Sequence, residues 1–138
     1  MKLSRTAGYA IQAVIRLAEE QTAHPVPSSK LAAEGNMPER FLLQILRHLV
    51  THGILQSTRG VEGGYMLVRS PDQVSLLDIM EAIEGPLHTS LPEGVNVSPE
   101  QRARLREALA KVAKAVRDQL AAIKLSDLAA CRPNAVVT

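Results

Sequence analysis

A mainly α domain bearing one small β-hairpin, continued by a single long helix, is the fold class this 138-residue sequence predicts. Three observations lead there. Apolar residues recur at helical spacing through most of the first 85 residues. Two short strand-like runs, Ile54 to Thr58 and Tyr65 to Val68, flank a tip holding Gly60, Gly63 and Gly64. Beyond Ser98, an apolar seam runs from Leu105 to Ile123.

Each element has its own support. Residues 4–21 read as a first helix, with Ser4 as N-cap and Ala7, Ala10, Ile11, Val14, Leu17 and Ala18 on one stripe. His24-Pro25-Val26-Pro27 breaks it and sets an extended approach. Ser28 or Ser29 can cap a short second helix from Lys30 to Glu34, and Gly35-Asn36-Met37-Pro38 turns the chain, with Pro38 in the first turn of the next helix. The third helix spans about Glu39 to His52. Phe41, Leu42, Ile45, Leu46, Leu49 and Val50 form its buried face, and Arg40, Leu43, Gln44, Arg47 and Thr51 fall opposite. Gly53 stops it.

After the hairpin, Ser70-Pro71-Asp72 turns the chain. Ser75 caps a fourth helix with Leu76, Ile79, Met80 and Ile83 on one side, and Gly85-Pro86 ends it. Residues 86–97 have no period and read as a loop. Ser98-Pro99-Glu100-Gln101 then opens a helix lasting to about Lys124. Leu105, Leu109, Val112, Val116, Leu120 and Ile123, at steps of four, three, four, four and three, form a heptad-like seam on a rod of about 40 Å at about 1.5 Å per residue. A domain of about 85 residues cannot cover all of that rod, so a homodimer joined along it is expected. The expected organisation is a domain over 1–85, a loop over 86–98, a dimerisation helix over 99–125 and a tail over 126–138. A helix pair feeding a basic hairpin is the layout of a winged helix-turn-helix, which points to duplex DNA.

Composition narrows the function further. Residues 1–70 hold eight Lys/Arg against five Asp/Glu, and residues 71–138 hold eight against nine, so positive charge leans toward the hairpin half. Two tyrosines, one phenylalanine and no tryptophan are too few rings for a single-strand binder that stacks bases. No apolar run has membrane-spanning length, no signal peptide opens the chain, and one cysteine, Cys131, builds no disulfide framework; a cytoplasmic protein is expected. The glycines lie in a hairpin rather than between strand and helix, and no acid–base pair or nucleophile triad is visible, so no enzyme is expected.

Several fragments, in order and spacing, resemble the Rrf-two family of winged-helix transcription regulators, of the IscR/NsrR/CymR type. They are Met1-Lys2-Leu3-Ser4, Tyr9-Ala10, Val26-Pro27, Phe41-Leu42 with Gln44-Ile45-Leu46, Gly53-Ile54-Leu55, Arg59-Gly60 with Gly63-Gly64-Tyr65, and Ala82-Ile83-Glu84-Gly85. The resemblance is close over residues 1 to about 86 and extends in general layout to the long helix. It implies a homodimer that binds a partly palindromic operator through recognition helix and wing, usually as a repressor. Many members hold an iron–sulfur cluster on three cysteines between the fourth helix and the long one. Here Pro86 to Gln101 contains none, which implies a cluster-free branch without cofactor.

The candidate contacts follow. Arg59, beside Gly60 at the wing tip, suits a minor groove. Arg40, Gln44 and Arg47, at steps of four and three, suit major-groove bases or phosphates, with Leu43 among them where some relatives place a glutamate. Lys2, Ser28, Ser29 and Lys30 lie at helix starts, where phosphate oxygens find donors. Glu62 departs from the family pattern and would repel phosphates. With Leu43, it motivates an alternative: an interaction module of the same fold that has lost DNA binding. His48 and His52 stand at i and i+4 without a third metal ligand, so no metal site is expected; Cys131 next to Arg132 is a lone thiol. Any signal, whether a small molecule in the loop or a protein effector, has no signature.

Overall fold

Ala7, Ala10 and Ala13 line one side of helix α1 (Arg5–Glu19) and are fully buried, together with Val14 and Leu17. Such short side chains let neighbouring helices come close, and α1 is the element around which the core assembles. The computed structural model describes residues 1–20 and 24–129. In it α1 packs against α2 (Ser28–Gly35), α3 (Glu39–Thr51), α4 (Leu76–Glu84) and a short terminal helix, α6 (Leu125–Ala129). The long α5 (Pro99–Ala122) leans on α4.

Serine caps explain where three of the six described helices start. Ser4 accepts from the Ala7 amide at 3.1 Å, and full capping boxes pair Ser75 with Asp78 and Ser98 with Gln101. Two helices end in left-handed stops. Asn36 (φ 52) closes α2, with the Met37 amide returning to the Ala32 carbonyl at 2.9 Å. Gly53 (φ 74) closes α3 in the same way, the Ile54 amide bonding the Leu49 carbonyl at 3.0 Å.

The wing is an antiparallel pair, β1 (Leu55–Thr58) and β2 (Gly64–Leu67), in register Leu55 with Leu67 and Thr58 with Gly64. A third segment braces it. Val26 and Tyr65 exchange both backbone bonds at 2.9 Å, so the stretch before α2 lies along the free edge of β2. A 3-10 turn (Pro71–Gln73) then leads into α4, and the Ser70 hydroxyl bonded to Asp72 holds that carboxyl below its usual range.

Several expectations need correction. Helix α2 starts at Ser28, with Pro27 at the N-cap, so neither serine caps it; the Pro27 carbonyl takes the first helical bonds, from Lys30 and Leu31 at 3.1 Å. Pro38 likewise sits at the N-cap of α3 rather than inside its first turn. Helix α1 stops at Glu19. Phe41, expected in the core, is 39% exposed, its ring set edge-on to Tyr9 with centroids 6.0 Å apart. Leu43, expected on the wet face, is half-buried. Both flank the fully buried Leu42, at the borders of the apolar stripe, where small rotations decide exposure.

The chain after α5 does not simply trail away. Leu76 and Leu125 donate their amides to Ile123 and Val74 at 2.9 and 2.8 Å, forming an antiparallel bridge between Ser75 and Lys124. Leu125 is fully buried, and α6 packs on α1 and on the 3-10 turn. The far end of the tail, with Cys131, lies outside the described residues.

Candidate nucleic-acid interface

The starts of α2 and α3 meet beside the wing. The Val26–Tyr65 pairing places Ser28 two residues from the wing's sheet, and the Ser28 hydroxyl lies 3.4 Å from the Glu39 carboxylate at the start of α3. These two helices differ from α1, α4 and α5, which carry serine caps. Proline occupies the N-cap of both, and neither has a side-chain cap bond. The Lys30 amide turns back to the Pro27 carbonyl, and the amides of Ser28 and Ser29 in α2 and of Glu39, Arg40 and Phe41 in α3 are left to face outward, with the positive end of each helix dipole behind them. A proline immediately before each helix was the sequence signal for this, and the two serines after Pro27 masked it.

On α3, Arg40, Gln44 and Arg47 are exposed on one face, one turn apart. The buried side is held by Leu42, Ile45, Leu46 and Leu49, each at most 1% exposed, so the outer face has a fixed orientation. Arg59 is exposed at the wing tip, next to Gly60 (φ 113). Among the described residues, Arg40, Arg47 and Arg59 form no ion pair. Elsewhere Arg16 is bonded to Glu34, Arg69 lies 3.5 Å from Asp78 and Lys114 lies 2.8 Å from Asp118, whereas Lys2, Arg5, Arg104, Arg106 and Arg117 also stand outside any ion pair among the described residues. Unpaired guanidinium groups are free to meet phosphates without first breaking a local bond.

Other sequence candidates fall less neatly. Lys30 sits 3.7 Å from Glu20 and 3.9 Å from Glu34, inside the ion network of Arg16. Ser29 and Lys2 are exposed, and Ser28 is half-buried. Glu62 is exposed at the wing tip. His52 bonds through Nδ1 to the His48 carbonyl at 2.8 Å, and among the described residues no group of three ligating side chains includes these rings. Sequence reasoning missed Val61, whose side chain is fully exposed at the wing's extremity.

Along α5, Leu105, Val112 and Ile123 are exposed, and Leu109 and Val116 half-buried. Leu120 is only 7% exposed, covered by its own chain, so its burial needs no second copy.

Comparison with known proteins fits this geometry. The family described as Rrf2, iron-dependent transcriptional regulator, matches residues 3–131. A Mycobacterium tuberculosis (strain ATCC 25618 / H37Rv) protein assigned as an HTH-type transcriptional regulator, Rv1287, is 39% identical over 87 residues, covering 63% of this chain. The matched segment is 54% of that relative, so the chain spans about half its length. The HTH-type transcriptional regulator CymR of Bacillus subtilis (strain 168) is 31% identical over 129 residues, 94% of this chain and 90% of CymR. The solved structure of CymR, described as the global cysteine regulator of B. subtilis, superposes with a TM-score of 0.79 at 30% identity, over 96% of this chain and 98% of that one. T. potens IscR superposes with a TM-score of 0.76 at 27% identity, over 100% of this chain and 93% of that one.

The iron in the family description finds no matching ligands here. The loop between α4 and α5 contains His88 and Glu93 but no cysteine, and His88 is bonded through Nδ1 to the Pro86 carbonyl at 2.9 Å. Among the described residues no three His, Cys, Asp or Glu side chains converge. An iron–sulfur cluster needs several thiolates, so the donor set does not fit one. By its matched length, its winged-helix fold and these relatives, this chain belongs to the Rrf2 family of transcriptional regulators.

Proposed function

We propose that this chain is a homodimeric, sequence-specific DNA-binding regulator, acting as a repressor and working without an iron–sulfur cluster. In this reading α3 lies in the major groove, where Arg40, Gln44 and Arg47 meet bases and phosphates and Leu43 lies at the margin. The first turn of α2, with Ser28, Ser29 and Lys30, takes backbone phosphates, as does Lys2 ahead of α1. Arg59 and Gly60 follow the adjacent minor groove. A second copy joins along Leu105, Leu109, Val112, Val116 and Ile123 of α5, with Leu120 supporting the seam from within its own subunit, and presents the same set to the other half of a partly palindromic operator.

The observation that supports the reading is that exposed arginines outside any ion pair stand on α3 and at the wing tip, beside two helix starts that have no side-chain cap. Phosphate contacts of this kind position a protein, and base edges then supply the specificity. An effector acting on the dimer, and a cytoplasmic location, belong to the same proposal.

Fragments of genomic DNA selected by the purified chain supply the test. Replacing Arg59 with Ala should weaken binding by about 1–3 kcal/mol and lower the salt dependence by about one counterion, with the sedimentation coefficient unchanged. Affinity equal to that of the parent protein would remove Arg59 from the interface. Absence of any duplex binding at about 50 mM salt, where nonspecific contacts are strongest, would favour a module that has lost DNA binding.

A further inference from the structure

The wing ends in a side chain that local preference argues against. Five residues, Arg59 to Gly63, join β1 to β2, and the Gly63 amide closes on the Gly60 carbonyl at 3.0 Å. That bond makes Gly60 to Gly63 a β-turn with Val61 and Glu62 at its corners. Corners favour Asn, Asp, Gly, Pro or Ser, and a β-branched residue there gains nothing from local geometry. Val61 also gains nothing from packing: its relative exposure is 104%, the highest of the large apolar side chains exposed in the described residues. A lone exposed apolar side chain is ordinary on a protein surface; what sets Val61 apart is its place at the turn corner of the wing, two residues from Arg59.

The returning side of the turn around Val61 is closely packed. A Cβ on Gly63 would lie 2.2 Å from the Thr58 carbonyl oxygen, and one on Gly64 would lie 2.4 Å from the Val26 carbonyl. The hairpin is thus closed against itself and against the braced edge, and Val61 stands out at its tip. An isolated valine is too small for the apolar centre of a protein interface, which needs a contiguous patch of several hundred Å². A minor groove about 6 Å wide, walled by deoxyribose carbon atoms, is the surface that fits a narrow apolar tip beside a free guanidinium.

We propose that Val61 is a DNA-contacting residue of the wing, packing its methyl groups on the sugar walls of the minor groove that Arg59 follows. This rests on the DNA-binding reading above. Glu62, the other corner, is repelled by phosphates and limits how far the prong descends. Affinity at the wing then comes from two different terms, one ionic at Arg59 and one apolar at Val61.

The two terms separate in a salt titration of the full chain on the selected duplex, followed by fluorescence anisotropy. Val61→Ala, which removes two methyl groups from a site that buries them only on binding, should weaken binding about tenfold. Val61→Thr should weaken it several-fold and Val61→Leu should retain it. All three should keep the parent salt slope, whereas Arg59→Ala lowers it. Exchanging A·T for I·C pairs beneath the wing preserves the minor-groove edge and should leave the Val61→Ala penalty in place. Exchanging them for G·C, which raises an amino group from the groove floor, should diminish it. Parent-like affinity of Val61→Ala and Val61→Thr, with the parent chain binding well, overturns the inference and leaves the DNA-binding reading intact. A parent chain that binds no duplex overturns both. Because the side chain touches nothing in the folded chain, the variants should melt at the parent temperature, so lost affinity is not lost fold.

Discussion

An added Cβ at Gly63 would meet backbone oxygen at the end of the outgoing strand and in the turn itself, with Thr58 O at 2.2 Å and Gly60 O at 3.0 Å. Neither atom can move without opening the turn. Gly63→Ala should therefore distort the wing tip and weaken DNA binding more than tenfold, if Arg59 and Val61 act from a fixed position. The helical core lies elsewhere, so the melting temperature should fall only slightly; anisotropy and a thermal melt on the same sample check both halves. At this scale the sequence was readable where a residue acts on its own neighbours. Ser4, Ser75 and Ser98 cap as their local spacing demands. Ser28 does not, because Pro27 ahead of it already has the backbone of an N-cap (φ −63, ψ 147). Phe41 and Leu43 were placed wrongly because periodicity names a face but not its margin. The margin was settled by Tyr9 of α1, which props the Phe41 ring at the surface.

Among the elements, α5 is the one whose pattern outruns its own chain. Leu105 and Val116, Leu109 and Leu120, and Val112 and Ile123 are each eleven residues apart. In the proposed dimer an eleven-residue spacing, at about 3.67 residues per turn and slightly more than the helix itself, turns the two helices gently right-handed instead of into the left-handed coil of a heptad seam. Val112, 55% exposed at mid-helix, is the sensitive point. Val112→Asp should yield monomers by sedimentation and a much weaker complex with DNA, with helix content retained; an unchanged dimer would move the interface off this seam. The far end of α5 is fastened differently. The Leu125 side chain is fully buried and its amide bonds the Val74 carbonyl at 2.8 Å. Leu125→Ala should destabilise the chain by about 2–5 kcal/mol in urea unfolding. A loss below about 0.5 kcal/mol would mean that α6 contributes nothing to the fold. Helix α6 was not legible beforehand: five residues are too few to show a period, and its stability comes from α1 and the 3-10 turn.

For the whole molecule, the family description and the chain's own residues diverge over iron. A loop without cysteine and a single thiol at Cys131 leave no set of thiolates for a cluster. Protein produced in iron-rich medium should show no visible absorption band, and a chelator should leave its affinity for DNA unchanged. Iron with labile sulfide in the pure protein, lost together with DNA binding, would reverse this assignment.

The sequence by itself determined helices α1 to α5, the hairpin and the outward set of Arg40, Gln44, Arg47 and Arg59, because periodicity, caps and glycines act within a few residues of one another. Only the tertiary structure decided how those pieces meet. It laid Val26 along the wing, brought the proline-capped starts of α2 and α3 together, buried Leu120 and turned α6 back onto α1. Each of these joins residues far apart in the chain, where the outcome depends on packing against a surface that no local pattern describes.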